Sequence, residues 1–145
     1  PHNVRISGNT TLNVNNSSNT AKQIGGTLTV DAGSTFSMED MTIASPTTVG
    51  VTILGDVVNN GTVNLSTTTE RLKCVNYTNN TGATTTLSSN SGGDLELSGS
   101  LIDNATFTAN TRAVFFTGSG LQDISGSGSM SIWTRLAKTS PFSLT

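Results

Sequence analysis

Apolar residues alternate with small polar residues in short runs along the chain. Val4 and Ile6, Leu28 and Val30, and Leu95 and Leu97 each lie two positions apart, with Thr, Arg or Glu between them. Side chains two residues apart point to the same face of a β-strand, so each run predicts a short, half-buried strand. The same spacing predicts a core that contains Leu28, Val30, Val57, Val63, Leu65, Leu95, Leu97, Phe107 and Phe116.

Turn signals separate these runs every few residues. They include Ala32-Gly33-Ser34, the tight-turn sequence Asn59-Asn60-Gly61, and polar loops at 66–70 and 88–93. Gly, Asn and Ser favour turns because they tolerate unusual backbone angles or bond to their own backbone. A break is also expected at Ser45-Pro46, because proline cannot donate a hydrogen bond to a sheet ladder.

A phrase with an apolar residue, glycine and alternating Thr or Asn recurs at unequal intervals. It reads ISGNTTLNV from Ile6, IGGTLTVDAG from Ile24, ILGDVVNNGTVNL from Ile53 and LSGSLIDNATFTA from Leu97. Gly8, Gly26, Gly55 and Gly99 follow one another after 18, 29 and 44 residues, and we expect the last interval to hold two coils. Recurring strand–turn–strand phrases favour an all-β parallel β-helix or β-solenoid with irregular coils. An antiparallel β-sandwich stays open as the alternative.

Composition supports strands and excludes several classes of protein. Thr (26), Ser (19), Asn (15) and Gly (15) dominate, charged residues make up 11%, and the net charge is −2. Strong helix formers are scarce, and the near-neutral charge gives no reason to expect nucleic acid or an anionic membrane as a partner. Cys74 is alone, so no internal disulfide is expected. Residues 1–145 are predicted to form a single solenoid segment, an excerpt of a longer repetitive chain.

The C-terminal part carries a family resemblance. The run from Val114 to Gly128, followed by Ile132-Trp133, Leu136 and Lys138, resembles a phrase of large surface proteins of Bacteroidota. The segments GDVVNNGTVNL and GSLIDNATFTANT look like the phrases that precede it there. The resemblance implies a right-handed parallel β-helix in a secreted, adhesin-like, cell-surface protein associated with type IX secretion. No catalytic residue belongs to the shared phrase.

Candidate chemistry is sparse. The nine acidic residues lie mostly beside predicted turns, where they are explained as solvent-exposed residues and turn caps. Asp94 and Glu96 share one face of one strand, and Asp56 is expected near them on a neighbouring coil. His2 is the only histidine and lies at the edge, and Cys74 is predicted to be a small buried residue rather than a nucleophile. Asp31 and Asp103-Asn104 do not form a calcium-binding nonapeptide repeat. We therefore expect no catalytic residue, metal site or cofactor.

Two candidate surface functions, ice binding and sugar stacking, depend on which side chains point outward. Ice binding needs a regular array of outward Thr on successive coils, and the outward positions inferred at 27/29, 56/58, 62/64, 98/100 and 106/108 give an interrupted array. Trp133, Tyr77 and the Phe residues could form a platform that stacks on sugars. Phe36, Phe107 and Phe116 are predicted to face inward, so core filling is the favoured interpretation, although the orientation of Trp133 is ambiguous.

The functional prediction is a structural or adhesive scaffold segment of a secreted bacterial cell-surface protein, and not an enzyme. Its partners would be adjacent coils of the same polypeptide or other subunits at both ends, with surface polysaccharide as a further candidate. Nucleic-acid binding and membrane insertion are not expected, and the expected location is extracellular. The alternatives are a carbohydrate-active β-helix enzyme that uses Asp94, a carbohydrate-binding module and, less favoured, an ice-binding solenoid.

Overall fold

A computed structural model describes residues 2–15, 21–39, 49–131, 137–138 and 142–144, and within these ranges the chain is all-β. The strands are β1 (Val4–Ile6), β2 (Thr11–Asn15), β3 (Lys22–Ile24), β4 (Leu28–Val30), β5 (Thr35–Glu39), β6 (Val49–Ile53), β7 (Val57–Asn59), β8 (Thr62–Asn64), β9 (Arg71–Cys74), β10 (Tyr77–Asn79), β11 (Thr84–Thr86), β12 (Leu95–Leu97), β13 (Leu101–Asp103), β14 (Thr106–Thr108), β15 (Val114–Phe116), β16 (Gln122–Ser125), β17 (Ser129–Ser131), β18 (Ala137–Lys138) and β19 (Phe142–Leu144).

Every third strand belongs to the same sheet. The first sheet runs β1-β4-β7-β10-β13-β16-β19, the second contains β2, β5, β8, β11, β14 and β17, and the third contains β3, β6, β9, β12, β15 and β18. The neighbouring strands pair in parallel in all three sheets. Three successive strands therefore make one coil, and stacked coils make a parallel β-solenoid. This confirms the predicted fold class, and the antiparallel sandwich is wrong.

The coils differ in length, as the irregular phrase predicted. Val4 pairs with Leu28, Leu28 with Val57 and Val57 with Tyr77, so successive coils take 24, 29 and 20 residues. Because paired positions keep their register with the coils above and below, a difference in coil length is taken up outside those positions.

The glycine phrase is only partly in phase with the coils. The amide of Gly55 donates to the carbonyl of Gly26, that of Val75 to Gly55, and that of Gly99 to Val75. These residues occupy one corner in successive coils, which confirms that the 44-residue interval holds two coils, with Val75 at the corner between Gly55 and Gly99. The inclusion of Gly8 is wrong, because Gly8 follows β1 of the first sheet whereas Gly26 follows β3 of the third.

The interior is filled by the alternating apolar residues. All nine predicted core residues are at most 1% exposed, and Phe36, Met38 and Tyr77 are fully buried beside them. Tyr77 and Phe107 pack edge to face, with ring centroids 6.5 Å apart and planes at 82°. Inward-facing Tyr77, Phe36, Phe107 and Phe116 therefore fill the core and form no exposed stacking platform. Trp133, with Met41, Ile43 and Pro46, lies outside the described residues.

The turn at Asn59-Asn60-Gly61 is a corner between two sheets. It joins β7 of the first sheet to β8 of the second, and Asn59 is the last residue of β7, with its side chain fully buried. A Cβ atom at Gly61 would collide with the carbonyl oxygens of Asp31 and Ser34 in the coil below. The corner therefore needs glycine there because two coils approach closely, whereas the tight-turn prediction missed the inward direction of Asn59.

Several acidic and loop residues are buried, contrary to the prediction of solvated faces and turn caps. Thr68 and Glu70 in the 66–70 loop and Ser88 at the start of the 88–93 corner are fully buried, and Asp103 is 1% exposed. Asp94 and Glu96 are each only 7% exposed. Polarity along the chain did not reveal these positions, because stacked coils cover the loops of their neighbours.

Candidate functional site

The two candidate carboxylates lie in a compact group of charged side chains on the outer face of the third sheet. We call Arg71, Lys73, Asp94 and Glu96, together with the Phe115 ring on which Arg71 stacks, the ion cluster. The sheet register places Lys73 opposite Glu96 and Glu96 opposite Phe115, so the cluster joins β9, β12 and β15 of three successive coils. The parallel ladder fixes these backbones about 4.8 Å apart, which brings opposite charges within contact distance.

Glu96 is at the centre of the cluster. Its Oε1 lies 2.9 Å from Lys73 Nζ, and its Oε2 lies 3.2 Å from Arg71 Nη1. Arg71 Nε also lies 3.8 Å from Asp94 Oδ2, and the guanidinium stacks 4.0 Å from the centroid of the Phe115 ring. Asp94 Oδ1 accepts a hydrogen bond of 2.8 Å from the amide of Ala113. Each carboxylate is therefore engaged by a cation and, for Asp94, by the backbone of the next coil.

The electrostatics of Glu96 follow from two opposing effects. Burial alone would raise the pKa of the Glu96 carboxyl, but hydrogen bonds and charge interactions with Lys73 and Arg71 outweigh burial and hold its pKa below the ordinary value of 4.5. The charged form of Glu96 is therefore the form that the folded chain stabilises.

Asp56 does not join the ion cluster. Its Oδ1 accepts hydrogen bonds from the backbone amide and the side-chain amide of Asn76, at 3.1 Å and 2.9 Å. Asn76 Oδ1 in turn accepts from the amide of Ser100, at 2.8 Å. Asp56 therefore ties one corner of the solenoid to the next coil, and its predicted proximity to Asp94 and Glu96 is wrong.

A second polar group lies inside the solenoid and was missed by the sequence analysis. Asn59, Asn79 and Asp103 end β7, β10 and β13, and their register places them one above another. Asn59 Nδ2 donates to Asn79 Oδ1 at 3.0 Å, and Asn79 Nδ2 donates to Asp103 Oδ1 at 2.7 Å. We call these three residues the amide ladder. The spacing of 20 and 24 residues between them is the coil length, and that periodicity is the signal that could have found them.

Neighbouring hydroxyl groups add further hydrogen bonds to the amide ladder. The Thr85 hydroxyl donates to Asn79 Oδ1 at 3.1 Å, so the Tyr77 hydroxyl, 2.7 Å away, donates to Thr85. Burial raises the pKa of the Tyr77 phenol, which keeps it a hydrogen-bond donor. The only oxygen of the amide ladder without a hydrogen-bond partner among the described residues is Asp103 Oδ2.

Cys74 lies in the core and is 1% exposed, as predicted. Burial raises the pKa of its thiol, and the nearby charge of Asp56 raises it further. A buried, protonated thiol is a poor nucleophile. His2, by contrast, is exposed at the first coil.

The outer face of the second sheet carries small polar residues in register. Thr11, Thr35, Thr62, Thr84, Thr106 and Ser129 form one column across successive strands. A second column, two residues along each strand, contains Asn13, Ser37, Asn64, Thr86 and Thr108. The predicted interruption grouped outward positions that lie on different sheets. Within the second sheet the first column holds Thr on every strand from β2 to β14, whereas the second column is interrupted by Asn and Ser.

Comparisons with protein-family models, with curated proteins and with solved structures give no match to this chain. Across the residues that the structure describes, no group of three or more His, Cys, Asp and Glu side chains is placed to hold a metal ion. Within the same residues, no helix has the length and apolar character needed to cross a membrane.

Proposed function

We propose that this chain is a structural scaffold segment that spaces or presents binding regions of a secreted bacterial cell-surface protein. The observation that carries the proposal is the continuity of the three sheets. The first sheet keeps parallel pairing from β1 to β19, and the other two keep it along their whole described length. Each added coil extends such a stack by about 4.8 Å without requiring a new core.

Side-chain bonds between coils support a scaffold role. Asp56, Asn76 and Ser100 link one outer corner of three coils, and the Ser100 hydroxyl accepts from the amide of Asp123 in the next coil, at 3.0 Å. The amide ladder links three coils inside, and the ion cluster links three coils on the third sheet. The carboxylate and amide side chains that could serve a reaction are thus engaged in joining neighbouring coils.

The extracellular location, the adhesive role and the link to Bacteroidota surface proteins rest on the phrases in the sequence. The run from Val114 to Gly128 and the two upstream segments resemble those of such proteins. The proposal includes no catalytic activity and no cofactor. It also includes coverage of the end coils by neighbouring coils or subunits, because open strand edges pair readily with other chains.

The scaffold role is tested by removing one coil. Deleting residues 77–100 removes one 24-residue repeat between equivalent positions of the first sheet. We expect small-angle X-ray scattering of the full-length and shortened chains to show a maximum dimension reduced by about 5 Å, with the far-ultraviolet spectrum of a β-protein retained. If the shortened chain is unfolded and has lost the far-ultraviolet spectrum of a β-protein, the modular scaffold is contradicted.

The location is tested separately in the organism that makes the protein. Antibodies against the chain are expected to label intact cells as strongly as permeabilised cells, and protease added to intact cells should remove the label. Label that appears only after permeabilisation would contradict the surface role. Depolymerisation of a polysaccharide by the purified chain, abolished by Asp94→Asn, would contradict the non-enzymatic role.

A further inference from the structure

The outer faces of the three sheets differ in charge. The first carries Arg5 in an ion pair with Asp31, at 2.9 Å, and the third carries the ion cluster. We call the outward residues of β8, β11 and β14 the threonine face; they are Thr62, Asn64, Thr84, Thr86, Thr106 and Thr108. The threonine face contains no ionisable side chain and no aromatic ring.

The threonine face is held as a regular grid. Neighbouring strands lie about 4.8 Å apart, and alternate residues along one strand lie about 6.6 Å apart. The residues beneath it are Val63, Thr85 and Phe107, each at most 1% exposed. Because the strands are in register and the layer below is packed, the six outward side chains keep a fixed two-dimensional spacing.

We propose that the threonine face binds ice. A Thr hydroxyl both donates and accepts hydrogen bonds, as a water molecule does, and the adjacent methyl group limits the arrangements of the water around it. A rigid grid of such groups loses little conformational entropy when it meets a solid lattice. The occupant inferred is therefore a repeating, uncharged lattice of water.

The composition of the threonine face distinguishes ice from other solid lattices. A charged mineral surface would be matched by ionisable side chains, and the threonine face carries none; Glu39 of the second sheet lies on β5, outside it, and the ion pairs lie on the other two sheets. A crystalline polysaccharide would be matched by exposed aromatic rings that stack on sugars. Phe115, the half-buried aromatic residue of the ion cluster, lies on the third sheet under the Arg71 guanidinium.

The test uses the full chain and two matched variants. Thr84→Tyr places a bulky ring at the centre of the threonine face, whereas Thr78→Tyr makes the same change in the same coil on the outer face of the first sheet. We expect the unaltered chain and Thr78→Tyr to shape or slow growing ice crystals and to be retained in a growing ice front. Thr84→Tyr is expected to lose most of both effects.

Two results would overturn the proposal. One is exclusion of the unaltered chain from ice at high micromolar concentration, without any effect on crystal growth. The other is retention on crystalline cellulose or chitin that Thr84→Tyr abolishes, with no effect on ice. If Thr84→Tyr lowers the melting temperature, Thr106→Tyr at the more exposed end of the same column replaces it. The proposal rests on the fold and not on a cell-surface location, so the outcome is independent of the antibody test.

Discussion

The amide ladder and the ion cluster each join three successive coils, yet they differ in burial and in the charge of their hydrogen-bond donors. The amide ladder consists of Asn59 and Asn79, which are fully buried, and Asp103, which is 1% exposed. Its hydrogen-bond donors are the uncharged side-chain amides of Asn59 and Asn79. The ion cluster pairs two nearly buried carboxylates with two cations on the outer face of a sheet, where the Lys73 side chain is 39% exposed and that of Arg71 is 18% exposed. One is isolated from solvent, and the other remains open to salt and protons.

This difference determines what each group contributes. A buried amide whose partner is removed leaves donors or acceptors unsatisfied, which costs about 1–3 kcal/mol for each group. A partly exposed ion pair gains less, because water and salt screen it. The amide ladder should therefore fix the stacking of the coils, whereas the ion cluster should adjust stability according to solution conditions.

The largest effect is expected where apolar packing adjoins the amide ladder. Phe107→Ala removes the ring that packs edge to face on Tyr77, and should lower the free energy of unfolding by about 3–5 kcal/mol because it leaves a cavity. Denaturant unfolding measures the loss. Phe115→Ala, the same change at the ion cluster, is the control and should cost about 1 kcal/mol. Equal losses would show that the interior is no better packed than the surface.

Breaking the amide ladder is expected to cost somewhat less. Asn79→Ala removes the acceptor of Asn59 Nδ2 and of the Thr85 hydroxyl, together with the donor to Asp103, and should cost about 2–4 kcal/mol. The control is Asn80→Ala, since Asn80 donates from a half-buried corner to Asn60 Oδ1, at 2.8 Å. We expect a cost below about 1 kcal/mol there, measured by the same denaturant titration. A variant Asn79→Ala that is as stable as Asn80→Ala would remove the distinction between ladder and surface.

The two groups also differ in how far the sequence revealed them. Alternation predicted the strands and core residues such as Val57 and Phe107, because side-chain direction in a strand depends only on parity. The position of Asn59 in a turn-like sequence concealed its burial, since Asn is common in both turns and ladders. Asp94 and Glu96 were found as a pair, but their cations were not, because Arg71 and Lys73 lie one coil earlier and the coil length varies.

The same limit applied to the threonine face. The outward direction of Thr62 and Thr106 followed from parity, but the column that joins them through Thr84 depends on which strands share a sheet. Sheet membership is a property of stacking over 20 or more residues, and irregular corners hide it. Residue parity is therefore local information, whereas the alignment of faces is not.

The ion cluster should give a smaller effect that depends on pH. Because the pKa of Glu96 is lowered in the folded chain, its contribution is fully present above its ordinary value of 4.5 and is lost as pH falls through the folded pKa. Glu96→Gln should cost about 1–2 kcal/mol at pH 7 and much less at acid pH, and added salt should reduce the cost. Thermal melts from pH 7 to pH 2 measure this.

A double-mutant cycle sharpens the assignment of this effect. Lys73→Met combined with Glu96→Gln removes both ends of the 2.9 Å pair, so the two single losses should not add. Strict additivity, or a loss for Glu96→Gln that is the same at pH 2 and pH 7, would show that the charges of the ion cluster do not contribute through their pairing.

The smallest predicted effect is a gain, and it tests the logic of the amide ladder. Asn59 Nδ2 also donates to the carbonyl of Thr84, and Asn79 Nδ2 to the carbonyl of Thr106. The register continues from Thr106 to Ser129, so the Ser129 carbonyl is the equivalent acceptor for position 103. An aspartate carboxylate has no donor for it, and Asp103 Oδ2 is buried without a hydrogen-bond partner in the described part of the chain.

Asp103→Asn supplies the missing N–H and keeps the oxygen that accepts from Asn79. We expect it to raise the free energy of unfolding by about 0.5–1.5 kcal/mol at pH 7, the net value of one hydrogen bond. Asp123→Asn, the same change at a half-buried position on the outer face of the first sheet, should stay within about 0.5 kcal/mol of the unaltered chain. A loss of stability in Asp103→Asn would mean that the carboxylate is the group that this coil requires, and that the amide repeat ends at Asn79 because the next coil bonds differently.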